Sequence, residues 1–126
     1  MATGRRWPRY HVSQLPLLQG EFDRTVKDPK LVTLGYGGCG FYHIDPMIPL
    51  APIRKVISSF RWGDEIAVSD VQGKLIYARE LEISGKKIFY YGVEFLDAFR
   101  DKVKDIVDKL ELCAKEGSVP FDPADP

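Results

Sequence analysis

The sequence predicts a mainly β fold closed by one helix, and three observations carry that prediction. Segments rich in β-branched and aromatic residues recur between residues 10 and 95, separated by turns containing Gly, Asp and Pro. The apolar spacing then changes: Phe99, Val103, Ile106, Val107, Leu110 and Cys113 lie 4, 3, 1, 3 and 3 residues apart, an amphipathic helical stripe. Between the strand runs, Pro46, Pro49 and Pro52 form a stiff connector that no helix crosses.

Taken in order, residues 1–9 carry no period and predict a flexible, arginine-rich arm, placed at 1–10 as a unit. Residues 10–22 suit a first strand with an irregular section at Pro16, and residues 23–30 a polar turn. Residues 31–34 predict a strand, 35–38 a tight reversal or bulge, and 39–44 a strand again. After the proline connector come strands at 53–60, 65–71, 74–83 and 87–95, with turns at Trp62-Gly63-Asp64, near Gly73 and at Ser84-Gly85-Lys86. The strand unit therefore spans 11–96 and the helix 97–116. Asp97 is the expected N-cap, Asp101 an early acid favoured by the helix dipole, and Gly117 the C-terminal stop. Residues 117–126, with Pro120, Pro123 and Pro126, predict a disordered tail. Sequential antiparallel strands with short turns form a meander, a Greek key or a small barrel, which the helix covers at an open end or edge.

Composition narrows the function. The chain has 126 residues, enough for one domain with its own core, and is 44% hydrophobic and 29% charged. No apolar run approaches the roughly 18 residues of a membrane span, and the N-terminal segment lacks the apolar stretch of a secretory leader, so a cytoplasmic location is expected. Zero formal net charge does not suit a DNA- or RNA-binding protein. The charge is nonetheless segregated. Residues 1–20 hold Arg5, Arg6 and Arg9 and no acid (+3), whereas residues 116–126 hold Glu116, Asp122 and Asp125 and no base (−3). Cys39 and Cys113 are read as small buried hydrophobes. His43, Asp45 and Cys39 match no known metal spacing, and a satisfied strand histidine is the stronger reading. No nucleophile–base or paired-carboxylate arrangement is identifiable, so neither enzymatic activity nor a cofactor is expected.

Two segments remain. Arg5-Arg6-Trp7-Pro8-Arg9 concentrates guanidinium groups, which fork onto phosphate or a guanine edge and stack on bases, beside two conformationally restricted residues. Thr33-Leu34-Gly35-Tyr36-Gly37-Gly38-Cys39-Gly40 laces a strand with glycine. Residues 35–40 spell the dinucleotide fingerprint G-x-G-x-x-G, but Phe41-Tyr42-His43-Ile44 follows where a phosphate-binding helix would have to open. The glycines have a mechanical role in any case: positive φ at a bulge, or room for a neighbouring backbone or side chain.

Arg5 and Arg9 make R-x-x-x-R, and residues 33–38 stand where D/N-x-S-x-x-G would follow. That order and separation, with Tyr91-Gly92-Val93-Glu94-Phe95-Leu96 ahead of the helix, resembles the PilZ domain over about residues 4–115. The resemblance implies a six-stranded antiparallel β-barrel with a C-terminal α-helix. It also implies a receptor for the bacterial second messenger cyclic di-GMP that changes conformation to regulate an effector protein. Carried over by position, Arg5 and Arg9 (with Arg6 assisting) hold phosphate and guanine. Thr33 stands for the acidic or amide residue, Gly35 for the serine and Gly38 for the closing glycine. Thr33 keeps one hydroxyl and Gly35 none, and each lost hydrogen bond costs roughly 1–3 kcal/mol, about tenfold per 1.4 kcal/mol. Backbone carbonyls or Tyr36 could compensate. The alternative expectation is a degenerate PilZ module that binds no nucleotide and acts as a protein–protein adaptor; a small barrel unrelated to PilZ is the third.

Overall fold

The computed structural model describes residues 7–22, 29–43 and 55–123. Arg5 and Arg6, most of the 23–30 turn, Asp45, the proline connector and residues 124–126 lie outside this set. Eight strands are described: β1 (Arg9–His11), β2 (Leu18–Phe22), β3 (Lys30–Leu34), β4 (Gly38–His43), β5 (Lys55–Trp62), β6 (Ile66–Ile83), β7 (Lys86–Phe95) and β8 (Phe121–Asp122). A 3-10 segment, Asp97–Val103, leads into helix α1 (Lys104–Lys115). The mainly β architecture with a C-terminal helix is therefore present.

The strands form one antiparallel sheet in the order β2-β5-β6-β7-β4-β3-β1-β8. It is open and eight-stranded, which corrects the expected closed six-stranded barrel. One local cause contributes to the difference. The expected first strand, 10–22, breaks around Pro16 through turns closed by Leu15 N–H to Val12 O and Leu18 N–H to Leu15 O. Its halves separate, β1 pairing with β3 and β2 crossing to β5 at the far edge. The sheet curls strongly even so. Phe22 on β2 stacks on Phe41 of β4, four places away in strand order, with ring centroids 3.8 Å apart.

Strand periodicity fills the curl. Cys39, Phe41 and His43 on β4, and Phe89, Tyr91, Val93 and Phe95 on β7, all point inward. Burying each large apolar side chain contributes about 1.5–3 kcal/mol. His43 is a core residue, its ring stacked on Tyr91 at 5.2 Å with Nε2 3.0 Å from the Tyr91 hydroxyl. Cys39 is fully buried four residues earlier on β4, and the Cys39–His43–Asp45 combination gains no support: Asp45 lies outside the described residues.

Where two strands were expected at 65–71 and 74–83, β6 runs unbroken through Gly73. Gly73 serves close approach rather than a turn, since a Cβ there would lie 2.6 Å from the Glu94 carbonyl oxygen. Curvature comes instead from irregular pairing between Ser58 and Phe60 opposite β6, where Asp70 takes a left-handed φ of 58°. Ser84 and Gly85, both with positive φ, make the tight β6–β7 hairpin turn.

The helical segment covers one end of the sheet. Val103, Ile106, Val107 and Leu110 are buried, and Lys109 ties α1 to the β5–β6 turn through Glu65 and the face of Trp62. Asp97 does not cap it; Leu96 occupies that position without a side-chain cap, and Asp97 pairs with Arg100. The C-terminus ends as expected. Gly117 N–H bonds Ala114 O and Ser118 N–H bonds Cys113 O, with Gly117 at φ 79°.

Residues 117–122 are not the disordered tail expected of them. Val119 is buried, His11 N–H bonds Pro120 O at 2.9 Å, and β8 pairs with β1 so that Asp122 faces Arg9. Phe121 covers Tyr10 with ring centroids 5.6 Å apart. Among the described residues, no helix is long and apolar enough to cross a membrane.

Candidate functional site

The alternation that sends Cys39 and Phe41 inward sends Gly38, Gly40 and Tyr42 to the outer face of the sheet. The same parity on β7 presents Tyr90, Gly92 and Glu94. Strand register arranges these groups in rows. One row runs Gly38, Glu94, Lys74; the next runs Thr33, Gly40, Gly92, Tyr77; a third runs Tyr42, Tyr90, Arg79. Successive rows are about 7 Å apart, two residues along a strand.

Each glycine leaves room for a side chain or backbone lying across it. A Cβ on Gly40 would meet the Tyr90 hydroxyl at 2.4 Å and Thr33 Oγ1 at 2.9 Å. One on Gly92 would meet the Tyr77 ring at 2.2 Å, and one on Gly38 would meet Arg9 Nη2 at 2.9 Å and the Val93 carbonyl oxygen at 2.0 Å. None of these glycines has positive φ, so close approach is the reason for all three. Arg9 and Tyr90 thus spread over the glycines of β4, and Tyr77 over Gly92 of β7. Tyr77 and Tyr90 are nearly parallel, 10° apart, with centroids separated by 6.0 Å. The Arg79 guanidinium sits 5.6 Å from the Tyr77 ring centre.

Burial pushes the Tyr90 hydroxyl up to about 12; Tyr77 adds to the rise, while its hydrogen bond with Thr33 and the charge of Arg9 oppose it. Burial likewise pushes the Cys39 thiol up to about 12, against the pull of Arg9 from the outer face. Lys74 and Glu94 form an exposed pair at 3.7 Å on the row beside Arg9. The face holds Arg9, Arg79 and Lys74 against Glu94 and Asp122, still an excess of positive charge.

A cavity of about 420 Å³ lies at the helix end of this face, lined by Trp7, Tyr36, Asp97, Arg100, Asp101 and Lys104. Trp7 packs on Gly37 and carries the Arg100 guanidinium 4.6 Å from its ring centre. Tyr36 donates to Asp108, which Lys104 also holds at 2.6 Å. Burial and that hydrogen bond raise the Tyr36 pKa, and the bond fastens its hydroxyl to α1 while the residue lines the cavity.

The chain matches none of the protein-family models, curated proteins or solved structures with which it was compared.

Of the residues singled out from the sequence, the fold brings Arg9, Thr33 and Gly38 to one surface. Gly35 is set back: its N–H bonds Gly38 O at 2.9 Å, and a Cβ there would strike the Pro8 carbonyl oxygen at 2.3 Å. It therefore positions the arm and offers no face to a ligand. Arg5 and Arg6 lie outside the described residues. Tyr77, Tyr90 and Arg79 were missed, because they were read only for strand preference. Their parity relative to Phe89, Tyr91 and Val93 was the available signal. Among the described residues, no group of three or more metal-ligating side chains converges.

Proposed function

We propose that this protein is a PilZ-type receptor that binds cyclic di-GMP on the outer face of its sheet. The observation that carries the reading is the placement of the Arg9 guanidinium over Gly38, on the same face as Thr33. Arg9 supplies a forked donor for phosphate or a guanine edge, with Arg5 and Arg6 reaching from the preceding arm. The bare backbone of Gly38, Gly40 and Gly92 keeps the face low enough for a planar ligand to approach. Binding orders the arm against the sheet. Trp7, held between Gly37 and Arg100, carries that change to the helical segment, where an effector protein reads it.

The test is calorimetric titration of the protein with cyclic di-GMP, using GTP as control, on the parent and on Arg9→Ala. The reading expects selective micromolar binding by the parent and none by Arg9→Ala, with unchanged circular dichroism. Equal binding by Arg9→Ala removes the arm from the mechanism.

One observation favours the adaptor as a second reading. The far end of the β6–β7 hairpin exposes Leu81 and Ile83, each at least 41% accessible. Exposed apolar side chains grouped in this way suit a protein partner. The same titration separates the readings, since an adaptor with a retired site gives no heat up to millimolar nucleotide.

A further inference from the structure

We infer that Tyr77 and Tyr90 do the work of the missing second-motif side chains: Tyr77 is the stacking floor for one base, and the Tyr90 hydroxyl, with Thr33, reads its edge. This rests on the nucleotide reading above and names the residues that would set specificity within it.

Three features of the outer face point to it. First, the tyrosines lie where glycine makes room for them. Gly40 sits under the Tyr90 hydroxyl and Gly92 under the Tyr77 ring. A side chain at either position would lift a tyrosine off the sheet, so the backbone is shaped around a low aromatic surface. Second, the polar ends meet. The Tyr90 hydroxyl and Thr33 Oγ1 lie together over Gly40, and Tyr77 and Arg9 are close enough to act on that hydroxyl. A hydroxyl that donates and accepts can pair with the alternating donors and acceptors of a purine edge. The lost carboxylate could only accept. Third, Tyr77 already holds a planar cation. The Arg79 guanidinium occupies its outer face at 5.6 Å, a position that a base can take or share, because both guanidinium and base stack on an aromatic ring.

The resulting geometry has a direction. Arg9 over Gly38 and the hydroxyl cluster over Gly40 are two residues apart on β4, about 7 Å. A nucleotide lying along β4 meets the guanidinium with its phosphate and the hydroxyls with its base. Tyr90 and Thr33 then discriminate the base edge, and Tyr77 contributes affinity without regard to base, since stacking is tolerant of base identity.

The experiment titrates the parent, Arg9→Ala, Tyr90→Phe and Tyr77→Ala with cyclic di-GMP and cyclic di-AMP. Tyr90→Phe should weaken cyclic di-GMP binding about tenfold, the worth of one hydrogen bond, and leave cyclic di-AMP binding unchanged. Tyr77→Ala should weaken both ligands about 10- to 100-fold, the range of one base–aromatic stack. Tyr77→Leu, which keeps apolar cover over Gly92 without the π face, should resemble Tyr77→Ala and guards against a folding defect. If the parent binds and Arg9→Ala does not, while all tyrosine variants bind cyclic di-GMP within twofold of the parent, the tyrosine assignment is overturned and the receptor reading survives. A parent that binds neither dinucleotide overturns both.

Discussion

Replacing Gly38 by alanine should be far more damaging than replacing Gly92, although both sit on the same sheet face. At Gly38 the new Cβ would lie 2.0 Å from the Val93 carbonyl oxygen, a backbone atom. A carbon–oxygen contact needs about 3.3 Å, so β4 and β7 must part locally by about 1 Å. That movement threatens Phe95 N–H to Gly37 O, at 2.9 Å, and the adjoining pairing of Gly38 with Glu94, because a hydrogen bond stretched by that much is lost. Two lost bonds with partly unsatisfied buried groups amount to about 3–4 kcal/mol, in the severe tail for single substitutions. With a urea m value of about 2 kcal/mol/M, the unfolding midpoint should fall by about 1.5–2 M at unchanged slope. At Gly92 the obstacle is the Tyr77 ring, which can swing away, and alanine regains about 0.5–1 kcal/mol of backbone entropy. The net loss there should be about 1 kcal/mol or less. Equal midpoint shifts for the two variants would refute the distinction between a backbone obstacle and a side-chain one.

Further outcomes follow from other parts of the molecule. A native thiol titration should modify Cys113 and spare Cys39, whose buried thiol is pushed up to about 12, and denaturant should release the second equivalent. Two fast equivalents in the native state would contradict the packing of β4. Removing residues 118–126 should cost about 2–3 kcal/mol, from losing the burial of Val119 and the bond between His11 N–H and Pro120 O, and should speed amide exchange at His11. A truncated chain as stable as the parent would show that β8 is not docked. In the unfolded chain tyrosines ionise near pH 10, whereas Tyr90 is held up to about 12 in the fold. Between those values the unfolded state binds fewer protons, so stability falls as pH rises. Tyr90→Phe should move the onset of alkaline unfolding upward in a circular-dichroism scan, and an unchanged onset would count against its burial. Tyr36 and Tyr10, also raised, leave part of the alkaline loss in place.

The elements legible in the sequence were those whose signal is local. Phe89, Tyr91, Val93 and Phe95 alternate cleanly with outward residues, and α1 carries both its apolar stripe and Gly117 at its stop. What escaped depended on distant partners. β8 is two residues long, flanked by prolines and acids, and exists because β1 lies beside it more than a hundred positions earlier. Gly73 has the composition of a turn, but it serves the close approach of Glu94, which only the folded sheet supplies. In the candidate site, Arg9, Thr33 and Gly38 stood out through their spacing. Tyr77 and Tyr90 come from a hairpin whose tyrosines look like ordinary strand formers until register sets them opposite glycines.

The pairing of β8 with β1 gives the molecule an unusual geography for instrumentation. Asp122 stands opposite Arg9, and four further residues reach at most about 14 Å. A fluorophore attached at position 126 would therefore report from beside the arginine arm, where a dye at the hairpin tip would not. Circular permutation through a short linker joining the two ends would also turn β8, the intervening arm and β1 into one continuous hairpin. Linker length alone would then set the span between β8 and β1, leaving every residue of the outer face unchanged.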